Sequence, residues 1–200
     1  TELIPSGETS SYRSNPERLS EFALSRRDPQ YVGRSKVMRQ IERDREAGKA
    51  LPEEVMKVYE ALTKAGVAND PANTDIGSTI FANMPGDGSA REQAASCQRV
   101  MGASANFAKQ YATKRYRSNC INWASTPFLV ENPEVFELGD YIFVPGIREA
   151  VLENKASFSA YAVKPDGTVT EFPVSTGALT EAERQIIADG CLINYYRNNQ

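Results

Sequence analysis

The sequence predicts an α/β fold, and two features of its patterning indicate this class. Strand-like and helical segments alternate through the middle of the chain, beginning with an apolar run at 76–84, a glycine-rich turn and a helix from residue 89. Further on, Lys164-Pro165-Asp166-Gly167 separates two apolar runs. That segment is typical of a β-hairpin, because proline presets φ and glycine accepts a positive φ.

The N-terminal third of the chain combines a polar start with two predicted helices. Residues 1–19 are polar and rich in turn formers, so we expect a surface loop there. Residues 33–67 are predicted to be helical, with a second helix that begins near Pro52 and ends at Gly66. Acids alternate with bases over 39–49, which indicates a solvated helix face rather than a nucleic-acid patch.

The remaining elements follow from hydrophobic periodicity and from end signals. Strands are predicted at 76–84, 105–107, 127–130, 141–144, 156–163 and 168–174, and helices at 89–101, 109–117 and 180–196. The last helix begins with Thr180 and Glu183 in the spacing of a capping box.

Composition excludes several kinds of chemistry. The 23 Lys and Arg residues are outnumbered by 26 Asp and Glu residues, so the basic excess of a nucleic-acid-binding protein is missing. There is no histidine and no Cys-x-x-Cys, which removes the commonest general base and the familiar spacings for zinc or iron–sulfur ligands. Cys97, Cys120 and Cys191 are too scattered for a disulfide framework.

No apolar run approaches the ~20 residues that cross a bilayer. The first residues lack the basic and apolar regions of a signal peptide. We therefore expect no membrane partner and a cytoplasmic location, or a mitochondrial one if the parent protein is eukaryotic.

The turn Gly86-Asp87-Gly88-Ser89 stands where α/β proteins commonly place ligands, between a strand and a helix. The start of a helix offers unpaired N–H groups and a positive dipole end, which bind carboxylates and stabilise an alkoxide. Arg91 adds a planar guanidinium suited to a carboxylate. The alternative is structural, since Ser89 and Glu92 have the spacing of a capping box. No Gly-Lys-Ser/Thr follows, so the turn is not a P-loop.

Ordered motifs along the chain resemble the C-terminal swivel domain of the aconitase and isopropylmalate isomerase superfamily. Residues 86–92 resemble its Gly-x-Gly-Ser-Ser-Arg-Glu signature, and Thr1-Glu2-Leu3-Ile4 resembles its Thr-Asp-His-Ile start. Further similar segments are residues 7–13, Arg117-Ser118-Asn119 followed by Pro127-Phe128-Leu129, and the ending 190–197. The resemblance omits only the helical region 17–70.

This resemblance implies a β/β/α swivel-type domain over 1–200, with a mixed central sheet flanked by helices and residues 17–70 as a helical insertion. It also implies that the chain is a fragment of a larger multidomain hydratase. Such an enzyme holds a 4Fe–4S cluster on its other domains or on a large subunit. The substrate would be a hydroxy di- or tricarboxylate, and the isolated chain would be inactive.

The resemblance also assigns roles to four residues. Ser89 matches the serine that takes the α-proton as an alkoxide, and Arg91 matches the arginine that binds a substrate carboxylate beside it. Arg13 matches a second substrate-binding arginine, and Glu2 stands where the family has a supporting aspartate. Three positions depart from the pattern: Ala90, Gln93 and Leu3 replace a serine and two histidines.

The departures point to a divergent hydratase acting on a related acid. Two other interpretations stay open from the sequence. One is a separate small subunit of the isopropylmalate isomerase type. The other is a non-catalytic binding module, including an RNA-binding one, against which the missing basic excess argues.

Overall fold

The computed structural model describes residues 2–200. Its helices are α1 (Pro16–Ser20), α2 (Tyr31–Glu46), α3 (Glu53–Lys64), α4 (Arg91–Val100), α5 (Lys114–Asn122), α6 (Ile147–Leu152), α7 (Glu181–Asp189) and α8 (Leu192–Asn198). Its strands are β1 (Phe81–Ala82), β2 (Ala105–Ala108), β3 (Thr126–Leu129), β4 (Tyr141–Phe143), β5 (Phe158–Val163) and β6 (Val169–Val174). Short 3-10 helices cover Ser10–Tyr12, Pro71–Asn73 and Pro133–Val135.

The strands form two three-stranded sheets. The first is parallel in the order β1-β2-β3, and the second is antiparallel in the order β4-β5-β6. Leu129 at the end of β3 pairs with Ser175 just after β6 in an isolated antiparallel bridge. The predicted α/β class, with parallel and antiparallel strands flanked by helices, is confirmed. Within residues 2–200 the mixed pairing is divided between two sheets that this bridge connects.

The parallel sheet places the candidate turn at one edge of the fold. β1 leads through the turn into α4, and β2 leads through residues 109–113 into α5, so both loops leave the carboxyl edge of the sheet. The two loops are joined by backbone hydrogen bonds from Gln110 N to Asn83 O (3.1 Å) and from Ala112 N to Pro85 O (2.9 Å). The pairing of β1 with β2 therefore continues into the loops.

The prediction of a surface loop over 1–19 is only partly right: within residues 2–19, positions 13–18 are exposed, whereas several others are buried. Ile4 and Leu19 are buried, and so is Thr9, whose hydroxyl donates to the Pro5 carbonyl at 3.1 Å. The Leu24 amide donates to the Leu3 carbonyl at 2.9 Å. Apolar residues from this segment share one core cluster with α4 and α5. Thr1, the first residue of the resemblance, lies outside the described residues.

The predicted helices over 33–67 are confirmed, but the charge run 39–49 is only partly solvated. Arg45 has an exposed side-chain fraction of 13% and donates to Glu42, to the Ala72 carbonyl and to Asp75. Arg39 donates to the Val100 carbonyl at 2.7 Å, at the end of α4. These charges therefore fasten α2 to the rest of the protein.

Three predicted elements differ in extent from the structure. The strand at 76–84 is reduced to β1 and a single bridge at Ser78. The helix predicted at 109–117 begins only at Lys114, because the preceding residues pair with the candidate turn. The final helix is split at Gly190, whose φ of 90° ends α7. The capping box of Thr180 and Glu183 is confirmed.

A second core cluster lies between the two sheets. Phe107 and Phe128 stack with ring centroids 4.9 Å apart, and Phe172 of the antiparallel sheet belongs to the same cluster. Aromatic packing of this kind contributes beyond the area it buries. No helix within residues 2–200 has the length and apolar character needed to cross a bilayer.

Candidate functional site

The turn between β1 and α4 is held from two sides. The Gly86 carbonyl accepts hydrogen bonds from Arg91 Nε at 3.2 Å and from Thr113 Oγ1 at 3.0 Å. Gly86 has a φ of 101°, a conformation that side-chain-bearing residues rarely adopt. A Cβ at this position would lie 2.5 Å from ring atoms of Tyr116. Two hydrogen bonds to the Gly86 carbonyl and the packed ring of Tyr116 therefore fix the conformation of the turn.

Ser89 lies exposed on this turn, just ahead of α4. The N-cap of α4 is Ala90, which has no capping side chain, so the capping box expected from Ser89 and Glu92 does not form. Glu92 instead accepts a hydrogen bond from Trp123 Nε1 at 3.1 Å. The first-turn N–H groups of α4 therefore have no capping side chain, and an exposed hydroxyl lies just ahead of them in the chain.

Arg91 is half-buried and has two functions available to it. Its Nε anchors the turn, and its Nη groups make no hydrogen bond within residues 2–200. A guanidinium can thus hold the Gly86 carbonyl while its outer edge meets a carboxylate.

A wide cleft of about 1880 Å³ runs beside the turn. Its walls include Gly88, Ala90, Arg91 and Glu2, so two of the predicted site residues share one concave surface. Glu2 also lies 3.8 Å from Arg27, with both side chains more than two-thirds exposed. Exposed pairs of this kind contribute little to stability.

Arg13 lies outside the cleft walls, at the end of the 3-10 helix Ser10–Tyr12, and is exposed. Its neighbour Tyr12 stacks on Phe22 at 5.4 Å. Tyr12 and Ala90 pack against the same core cluster. The loop that carries Arg13 and the turn that carries Ser89 are therefore fastened to one cluster. Ser89 itself, although on the turn, is not part of the cleft wall.

The cysteines of this chain do not fit an iron–sulfur cluster. Burial raises the pKa of the Cys97 and Cys120 thiols to about 11, whereas cluster ligands are thiolates. Cys191 is half-buried and lies on a different element. In the described part of the chain, no three His, Cys, Asp or Glu side chains gather as metal ligands.

Sequence patterns did not indicate the contacts that Thr113 and Trp123 make around the turn. Thr113 caps α5 by accepting from Tyr116 N at 3.2 Å, but it lacks the glutamate three positions later that marks a capping box. Trp123 packs against the core cluster, and its indole N–H donates to Glu92 Oε1.

Distant similarity is found among solved structures. No family model matches the chain, and no curated protein matches it. Among solved structures, 3-isopropylmalate dehydratase from Methanocaldococcus jannaschii is 22% identical, with a TM-score of 0.42 over 72% of this chain and 78% of that chain. A similarity at this level carries no argument about function.

Proposed function

We propose that this chain is the substrate-binding and proton-abstracting half of a hydratase or dehydratase that acts on a hydroxy di- or tricarboxylic acid. The observation that supports the proposal is an exposed serine at the uncapped start of α4, on a turn anchored by an arginine. A negatively charged ligand is stabilised there by unpaired N–H groups and by the helix dipole.

In this proposal Ser89 is the base that takes the α-proton of the acid. A serine hydroxyl is a poor base in water, and it needs an environment that favours its alkoxide. The positive end of α4 and the guanidinium of Arg91 supply positive potential beside it. Arg91 also binds one substrate carboxylate through its outer nitrogens.

The remaining predicted residues act at the margin of the site. Arg13 is an exposed guanidinium on a neighbouring loop, and we assign it to a second substrate carboxylate. Glu2 lies on the cleft wall, and we assign it a supporting role. Neither residue has a buried partner that would commit it to a purely structural role.

The other half of the site belongs to a partner in this proposal. The resemblance implies a 4Fe–4S cluster held by other domains or by a large subunit, and the buried thiols of this chain are unsuited to hold it. We therefore assign to this chain only substrate binding and proton transfer.

The parent protein takes one of two forms under this proposal. The chain is either the last domain of a long aconitase-type hydratase or a separate small subunit of the isopropylmalate isomerase type. The length of the parent gene distinguishes the two forms, and a triacid or a diacid substrate does so independently.

The test uses the intact parent enzyme, with its cluster-bearing part present, against a panel of hydroxy di- and tricarboxylates. Ser89→Ala is expected to lower turnover of the accepted acid by about 10²-fold or more, as loss of a general base does. The matched control is Ser96→Ala, which removes a hydroxyl from the same helix at a position away from the turn.

Two outcomes would contradict the proposal. Unchanged turnover in Ser89→Ala would remove Ser89 from the role of base. Failure of the intact parent enzyme to turn over any acid of the panel would favour the non-catalytic binding module instead.

A further inference from the structure

Three buried polar side chains form a closed network beneath the candidate turn. Asn106 Nδ2 donates to Gln98 Oε1 and to the Tyr116 hydroxyl, each at 3.0 Å, and the Tyr116 hydroxyl donates to Gln98 Oε1 at 2.9 Å. All three residues are at most 1% exposed. They come from β2, α4 and α5, the elements that surround the turn.

The network costs free energy compared with an apolar core of the same volume. Burying amides and a hydroxyl costs free energy that hydrogen bonds only partly return. Here Gln98 Nε2 and Asn106 Oδ1 find no partner in the described part of the protein. Apolar side chains of similar volume would fill the same space without that penalty. Stability alone therefore does not explain the network, which holds the Tyr116 hydroxyl by two hydrogen bonds.

Tyr116 connects the network to the turn. Burial raises the pKa of its hydroxyl well above the ordinary value, so the group stays protonated and remains a donor. The ring of Tyr116 lies directly against the Cα of Gly86, where no Cβ could fit. Its backbone N–H donates to Thr113 Oγ1, and that hydroxyl donates to the Gly86 carbonyl.

We propose that Tyr116 is a positioning residue, which fixes the Gly86 turn and thereby aligns Ser89 and Arg91 with the substrate. Gln98 and Asn106 hold its hydroxyl, and so prevent the ring from sliding away from Gly86. This inference rests on the proposed function, because it concerns the geometry of the same site. Misplacement of a catalytic group by about 1 Å costs up to roughly 10²-fold in rate.

The test compares two tyrosines in the intact parent enzyme. Tyr116→Phe keeps the ring but releases it from the network, and we expect kcat to fall by about 10-fold while KM changes less than about 2-fold. Tyr111→Phe is the matched control. Its hydroxyl also donates inside the fold, to the Asn106 and Phe128 carbonyls, but Gly86 contacts the Tyr116 ring instead. The control should lose comparable stability in urea and keep its kcat.

If Tyr116→Phe does not fold, a second variant, Gln98→Met, tests the same proposal. Gln98→Met removes one partner of the hydroxyl while Tyr116 and Asn106 stay intact, and the same selective fall in kcat is expected. Unchanged kcat in the folded variants, with Ser89→Ala strongly impaired, would overturn the positioning role and leave the proposed function standing. Unimpaired Ser89→Ala would overturn the proposed function instead.

Discussion

Ala90 is the residue that leaves the start of α4 without a capping side chain. It occupies the N-cap of α4 with φ −89° and ψ 56°, and it makes no side-chain hydrogen bond to the first turn. Serine, threonine, aspartate and asparagine are preferred at N-caps because they satisfy one of the unpaired N–H groups. Alanine leaves those groups available to a ligand.

Replacing Ala90 by serine should therefore stabilise the protein. A new cap on the first turn of α4 is worth about 1 kcal/mol in the free energy of unfolding, measured by urea denaturation. Ala65→Ser is the control, since Ala65 is exposed at the C-terminal end of α3, where a hydroxyl caps no N–H group. Equal unfolding midpoints for Ala90→Ser and the wild type would show that the first turn is already satisfied.

Sequence reasoning located this turn but misjudged its caps. The strand–turn–helix pattern around Gly86 and Ser89 predicted a helix start within two residues of the observed one. A capping box, however, requires the helix to begin at one particular residue. Glu92 bonds instead to Trp123, which lies far along the chain, and no local pattern reports a partner at that distance.

Among the elements, α2 is joined to the segment before β1 by a half-buried ion pair. Glu42 accepts from Arg45 Nη2 at 2.7 Å and from the Ile76 amide at 2.9 Å. Burial alone would raise the pKa of the Glu42 carboxyl, but the hydrogen bonds from Arg45 and Ile76 outweigh it and lower the pKa below 4.5. The charged carboxylate is therefore the form that the fold favours.

This shift makes a contribution to stability that depends on pH. A lowered pKa in the folded state means that the contribution is present above pH 4.5, the ordinary value, and is lost as pH falls through the folded-state pKa. Glu42→Gln should lower the urea midpoint at pH 7, and the difference from wild type should shrink as pH falls below 4.5. Glu53→Gln, which breaks an exposed pair with Lys57, should change the midpoint far less. A difference that grows toward acid pH would contradict the assignment.

The ends of helices and strands were predicted well where residues close in the chain determine them. The β5–β6 hairpin and the Thr180 capping box follow from residues close in the chain. Residues 109–113 behaved differently, because their pairing with the turn overrides their helical pattern. The buried part of the N-terminal segment was missed for a similar reason, since its apolar residues pack against α4 and α5, which are distant in the chain.

At the scale of the whole molecule, the candidate site is open on one side. The turn, Arg91 and Glu2 border a wide cleft rather than a closed pocket, and Ser89 is exposed beside it. Excluding water strengthens the electrostatic stabilisation of an alkoxide base. Under the proposed function, we therefore expect a partner to cover this cleft. The alternation of strands and helices predicted the fold class. The arrangement as two sheets, linked by the Leu129–Ser175 bridge and by shared aromatic packing, depends on contacts between distant residues and could not be read from local patterns.

The isolated chain should accordingly bind a hydroxy polycarboxylate weakly and leave it unreacted. Calorimetry is expected to give a Kd of about 1 mM or weaker, corresponding to about 4 kcal/mol of binding free energy, because half of the site is absent. Adding the cluster-bearing partner should restore turnover. Hydration or dehydration of the acid by this chain alone would contradict the proposal that the chain supplies only half of the site.

Trp123 is the only tryptophan in the chain, and its indole N–H is hydrogen-bonded to Glu92 in the first turn of α4. The ultraviolet-excited emission of the indole thus comes from one location, beside the uncapped end of that helix. An anion that binds there changes the field around the indole and the strength of its hydrogen bond to Glu92. The protein therefore carries its own optical probe of occupancy at the candidate site, without an added label.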